Sequence, residues 1–104
     1  MNMMNLPELL QQAKRVQEQM QRQLQEMRVE ASSGGGMVTV VMSGQKYVLS
    51  LRIDPQLLKD GDTEMLQDLI LGAVNQAAQK VDEKLQQNVG SLLGSLNLPS
   101  NPNA

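Results

Sequence analysis

Residues Met37 to Ile53 constrain this chain more than any other stretch, because they read as a β-hairpin. Two β-branched, apolar runs, Met37-Val-Thr-Val-Val-Met-Ser43 and Lys46-Tyr-Val-Leu-Ser-Leu-Arg-Ile53, flank Gly44-Gln45. A two-residue loop with glycine first predicts a type II′ turn, since that position needs φ > 0. The turn then predicts a register: Ser43 faces Lys46, Met42 faces Tyr47, Val40 faces Leu49 and Val38 faces Leu51. Alternation agrees, placing Val38, Val40, Met42, Tyr47, Leu49, Leu51 and Ile53 on one face and Thr39, Ser50 and Arg52 on the other. Met37, Val41 and Val48 also fall on the second face, which is therefore partly apolar. A lone two-stranded ribbon is marginal in water, so the hairpin needs helices on one face and a further strand or a second chain.

The flanking stretches supply the helices. Asn5 suits a helix cap, with Glu8 three residues on and Pro7 in the first turn. Leu6, Leu9, Ala13, Val16, Met20, Leu24 and Met27 follow at near-heptad spacing within a glutamine-rich filling, predicting a helix over about 6–27. Such a helix spans roughly 30 Å, whereas a seven-residue strand reaches only about 23 Å. Its surplus length should pack on another subunit or project.

Arg28 to Ala31 is expected to end the helix or form a short edge strand, and Ser32-Ser-Gly-Gly-Gly36 to be a flexible loop. Asp62 or Thr63 should cap a second long helix over about 63–88, stopped at Gly90. Its stripe is Leu66, Leu69, Ile70, Ala73, Val74, Ala77, Ala78, Val81 and Leu85, with small residues for close approach. Residues 1–90 thus read as a single α+β domain, and 91–104 as a weakly ordered tail. With 104 residues, such a domain buries a thin core that self-association would complete.

The residue inventory excludes several chemistries. There is no His and no Cys, which removes the usual ligands for zinc and most transition metals and leaves no triad or redox pair. Asp60/Asp62 and Asp82/Glu83 could do acid–base work only if buried, and they fall in a turn and near a helix end. We therefore expect no enzyme activity, no metal, no cofactor and no small-molecule substrate. No apolar run approaches the roughly 20 residues of a membrane span, and Met1 to Pro7 lacks the features of a signal peptide. The expected location is the cytoplasm, with no membrane partner.

The net charge of −2 argues, taken whole, against a polyanionic partner, but the distribution is uneven. Lys14, Arg15, Arg22 and Arg28 lie on or beside the first helix, and Lys80 and Lys84 one turn apart on the second. Arg15 and Arg22 point almost directly away from the apolar stripe at about 100° per residue. The acidic groups Asp54, Asp60, Asp62, Glu64 and Asp68 cluster elsewhere. Glu18 could pair with Arg15 and Arg22 on a solvated face, each pair contributing about 0.2–0.5 kcal/mol. The same residues could instead form a cationic ridge that meets phosphates. With one aromatic residue there is no stacking platform for single strands, so such binding would be salt-sensitive and weakly selective. The residues leave these readings open, together with a third in which the Met- and Gln-rich helix pairs with another protein without nucleic acid.

The order of elements resembles the YbaB/EbfC nucleoid-associated proteins of bacteria. The resemblance is carried by Leu10-Gln-Gln-Ala-Lys-Arg-Val-Gln-Glu-Gln-Met20, by Gly36-Met-Val-Thr-Val, and by Leu51-Arg-Ile-Asp-Pro-Gln-Leu-Leu58. Asp62-Thr-Glu-Met-Leu-Gln-Asp-Leu69, Ala73-Val-Asn-Gln-Ala-Ala78 and the Leu-x-Leu-Pro near Leu96 extend it. It implies an α-β-β-β-α subunit, a homodimer joined through its central sheet, and helices projecting like tweezers. It also implies double-stranded DNA binding in the nucleoid with low sequence selectivity. By position, Lys14, Arg15, Arg22, Arg28, Lys80 and Lys84 are the DNA-binding candidates. Met37, Val41 and Val48 are the candidates for the dimer interface.

Overall fold

The computed structural model describes residues 5–95, with side-chain surroundings to residue 90. The expectations for the tail beyond residue 95 and for the Leu-x-Leu-Pro near Leu96 lie outside these residues. The chain runs α1 (Leu6–Glu26), β1 (Arg28–Ser33), a 3-10 turn (Gly34–Gly36), β2 (Val38–Ser43), β3 (Val48–Ile53), α2 (Pro55–Asp60) and α3 (Thr63–Ser95). This is the α-β-β-β-α order, and the fold is α+β. The sheet is antiparallel in the order β1-β2-β3.

Capping accounts for the helix starts. The Asn5 side chain accepts from the Glu8 amide at 3.0 Å. Asp54 accepts from the Gln56 amide at 2.9 Å, and Asp62 from the Met65 amide at 3.0 Å. Each cap satisfies a donor that the first helical turn leaves unpaired.

The core is one layer thick. Val38, Val40 and Met42 on β2, with Val29 and Ala31 on β1, meet Ala73, Ala77 and Val81 of α3. Ala73 and Ala77 are fully buried, and their missing bulk lets α3 lie close on the two strands. The Ser33 hydroxyl donates to the Leu69 carbonyl and ties the end of β1 to α3. The molecule measures 72 × 37 × 16 Å. Sheets and their covering layers lie about 10 Å apart, so the thinnest dimension has room for helices on one face only.

The hairpin exists, but its register differs from the expected one. Val38 pairs with Ile53 and Val40 with Leu51, two residues beyond the expected partners. A shift of two keeps every side chain on its face, which is why alternation gives no warning of it. A bulge then pairs Met42 with Val48. The connection is four residues, with the Lys46 amide donating to the Ser43 carbonyl and the Ser43 amide to the Tyr47 carbonyl, both at 2.9 Å. The expected type II′ turn is absent, because the positive φ of 66° belongs to Lys46 rather than to Gly44.

Gly44 is required for a different reason. A Cβ there would sit 2.8 Å from the Leu24 carbonyl oxygen and 3.0 Å from its Cα, both backbone atoms. The Gly44 amide donates to that same carbonyl at 2.9 Å. The turn is thus the seat on which α1 rests.

Three boundaries also differ from expectation. β1 extends to Ser33, because its ladder with β2 continues to Ser33 opposite Val38. The glycines form a tight turn with positive φ rather than a flexible loop. α3 passes through Gly90 to Ser95, since one glycine costs a helix only about 1 kcal/mol.

Gly44→Ala is expected to reduce stability by roughly 1–3 kcal/mol, because the new methyl meets backbone that can move only if α1 lifts. Urea unfolding at fixed protein concentration measures this, and an unchanged midpoint means that α1 does not close on the turn. Ala77→Leu should cost a similar roughly 1–3 kcal/mol by overpacking the α3–sheet contact. The same titration reads it.

Candidate nucleic-acid interface

α1 leaves the sheet with almost none of its length covered. No residue of its 21 is buried, and only Leu24, at the Gly44 seat, is half-buried. The helix is an arm carrying two different faces. Lys14, Arg15 and Arg22 are exposed on it. Arg15 and Arg22 lie seven residues apart on the side away from the apolar stripe, about 10 Å apart along the axis. By the same spacing Gln11 and Gln25 share that side, adding neutral amide donors that a charge-based reading passes over.

Glu18 sits between the two arginines in sequence, yet no ion pair joins them. Among the described residues the one ion pair is Lys46 Nζ to Asp82 Oδ1 at 2.8 Å, linking the hairpin turn to α3. The solvated-pair reading of Arg15 and Arg22 is therefore not what the structure adopts, and both guanidinium groups remain open to an incoming anion.

The other candidates are held differently. Arg28 Nη1 donates to the Met27 carbonyl at 2.9 Å and to the Gln25 carbonyl, capping the C-terminal end of α1. There the helix dipole favours a cation. Lys80 Nζ donates to the Glu30 carbonyl at 2.7 Å, fastening α3 to β1. Lys84, one turn further along α3, is exposed. Arg28 and Lys80 thus have structural partners, while Lys14, Arg15, Arg22 and Lys84 have none among the described residues.

One acidic group lies at the other end of α3. Asp62, Glu64 and Asp68 line one shallow concavity at the start of α3, with Met65 and Leu69. Asp68 and Lys84 are 16 residues apart on one helix, about 24 Å at 1.5 Å per residue. Among the described residues no cluster of three or more acidic, His or Cys side chains could hold a metal ion. No described helix is long and apolar enough to cross a membrane.

Met37, Val41 and Val48 do not form the single patch that alternation suggests. Met37 packs against the core. The bulge places Val48 across from Met42, whose side chain is buried on the helix side of the sheet. Val41 alone occupies the open face, paired with Glu30 on one side and Ser50 on the other. That face is therefore mostly polar. The exposed apolar groups lie instead along β3 and its turn, at Tyr47, Val48, Leu49 and Leu51, each between 44% and 65% exposed.

Comparison with known proteins agrees with this architecture. Residues 1–96 match the model of the YbaB/EbfC DNA-binding family. A nucleoid-associated protein of Koribacter versatilis is 45% identical over 91% of this chain and 94% of its own length. One from Acidobacterium capsulatum is 47% identical over 95% and 96%. The crystal structure of the uncharacterized protein HP0035 from Helicobacter pylori superposes with a TM-score of 0.70 at 29% identity, covering 89% of this chain and 98% of that one. With a family match across nearly the whole sequence and an arm of open cations on the expected scaffold, this chain belongs to the YbaB/EbfC DNA-binding family.

Proposed function

We propose that the chain is a nucleoid-associated protein that binds double-stranded DNA as a homodimer, acting in the cytoplasm on the nucleoid. The contacts are to phosphates and come chiefly from Lys14, Arg15 and Arg22 on α1, with Lys84 on α3. Arg28, which caps the end of α1, adds positive charge at the base of the arm, and Lys80, which fastens α3 to β1, adds charge on α3. One observation carries this reading: α1 projects with Arg15 and Arg22 exposed and unpaired, although Glu18 is within helical reach of both.

Low selectivity follows from the side chains available. Lys and Arg on phosphate position a protein without reading bases. Among the described residues the sole aromatic, Tyr47, sits on the hairpin and not on the arm. Nothing on α1 favours one base step over another, so the duplex is held by its charge and groove shape.

In gel-shift titrations, Arg15→Gln/Arg22→Gln is expected to weaken duplex binding and flatten its salt dependence. The double substitution removes two cations from each copy. The log–log salt slope of a dimer should then fall by roughly 3–4, at about 0.9 for each phosphate no longer neutralised. Binding to duplexes of unrelated sequence should fall together. A parent protein that shifts no duplex even at low salt overturns the reading and favours an interaction module that uses α1 to bind protein.

Glu18→Gln is expected to do the opposite. Glu18 makes no ion pair in the fold, so removing its charge should leave the unfolding midpoint unchanged and strengthen DNA binding several-fold at low salt. Unchanged affinity would place the duplex away from this face of α1.

A further inference from the structure

Both cation-bearing helices are anchored at the same place, the turn between β2 and β3. α1 is held there by the Gly44 amide, which donates to the Leu24 carbonyl at 2.9 Å. α3 is held there by Lys46, whose Nζ meets Asp82 Oδ1 at 2.8 Å. Each anchor is two residues from an unpaired candidate cation, Leu24 from Arg22 and Asp82 from Lys84.

Asp82 also marks where α3 leaves the sheet. Val81 beside it is fully buried, and from Asp82 to Gly90 only Leu85 is half-buried, the rest being exposed. Lys80, on the other side of Val81, is tied to β1. Past this point packing does not fix the two helices against each other. Val16, Met20 and Val89 line the groove between them but are 55%, 59% and 57% exposed. The turn at their root therefore sets how far apart they stand.

That turn is built for rigidity rather than for stability. The Ser43 hydroxyl accepts from the Gln45 and Tyr47 amides at 3.2 and 3.3 Å, besides the backbone bonds that Ser43 makes with Lys46 and Tyr47. Lys46 is the one described residue other than glycine with positive φ, at 66°. A Cβ makes that conformation costly, and glycine would take it freely. An ion pair between side chains 47% and 53% exposed contributes little to stability. A strained residue held by a weak pair at the root of two binding helices serves geometry.

We propose that Lys46 and Asp82 are a positioning pair for DNA binding. They hold α3 to the hairpin turn and so set the spacing between Arg15 and Arg22 on α1 and Lys84 on α3. This rests on the DNA-binding reading above. The phosphates of a duplex stand at fixed intervals, so cations held in advance at a matching spacing bind with less ordering cost.

Asp82→Asn separates positioning from charge, because the two predict opposite signs. The substitution removes a carboxylate two residues from Lys84, which by field alone strengthens binding to a polyanion. Loss of the pair instead raises the duplex dissociation constant, by roughly threefold or more in gel-shift titrations, with far-ultraviolet circular dichroism unchanged. Lys46→Glu/Asp82→Lys reverses the pair at constant net charge and should bind within about twofold of the parent. Asp82→Lys alone should bind more weakly than the reversed pair, despite carrying two more positive charges. Asp82→Asn binding as tightly as the parent, or more tightly, overturns the proposal.

A second readout needs no DNA. The chain has no cysteine, so spin labels at Gln19→Cys and Gln87→Cys report the α1–α3 distance within one chain when diluted with unlabelled protein. The distance distribution should broaden when Asp82→Asn is added, and equal widths overturn the clamp. A parent that shifts no duplex while the widths differ sinks the DNA reading and leaves the clamp standing. Broadening without any loss of DNA binding sinks the positioning role alone.

Discussion

The contact of α3 with β1 and β2 is what every other feature depends on. Its closeness comes from Ala73 and Ala77, one turn apart and fully buried against Val38 and Val40. A larger residue at either position would hold the helix off the sheet and open voids around Val81. Burial of aliphatic surface at about 25 cal/mol per Å² is the main favourable term in a domain this thin. It is concentrated on two strands of three. The third strand is paired through its backbone but left bare on its apolar side.

α1 is fixed by the opposite strategy, a few backbone contacts at one end. Gly44 gives the C-terminal end of the helix room to approach the turn, and its amide donates to a carbonyl of that last turn. Arg28 closes the last carbonyls. Below the arm, a groove of about 550 Å³ opens between α1 and α3, lined by Val16, Met20, Leu24, Met27, Leu85 and Val89. The helix is positioned without being buried, so both of its faces stay exposed. In a helix sunk into the core the polar face would still meet solvent, but the apolar face would not.

Element order, caps and the core stripe of α3 are legible in the sequence because each is a local pattern. Asn5, Asp54 and Asp62 mark helix starts within four residues. The strand faces are legible for the same reason, since period-two alternation survives a register shift of two. What alternation cannot sense is the bulge that pairs Met42 with Val48, and so it assigns Val48 to the wrong side. Gly44 is ambiguous because a glycine in a turn signals either positive φ or close approach, and only the position of Leu24 decides between them. Arg15 and Arg22 are legible as a ridge, but their lack of ion pairs is not. Spacing permits a Glu18 pair without requiring it. Arg28 and Lys80 are indistinguishable from the other cations until their carbonyl partners are visible.

A net charge of −2 conflicts at first sight with a polyanionic partner, and distance removes part of the conflict. At physiological ionic strength the field of an exposed charge decays over about 8 Å. Asp68 lies about 24 Å from Lys84 along α3, three such lengths, and the Asp62–Asp68 group faces a different concavity from the arm. At Lys84 the Asp62–Asp68 group is therefore screened, while on α1 Glu18 lies between Arg15 and Arg22. The overall charge governs solubility and long-range encounter, while binding is decided within one screening length of the surface. The 33 residues of α3 are long enough to hold Asp68 about 24 Å from Lys84, whereas Glu8, Glu18 and Glu26 on α1 and Asp82 and Glu83 on α3 stand among the cations and set the local balance there.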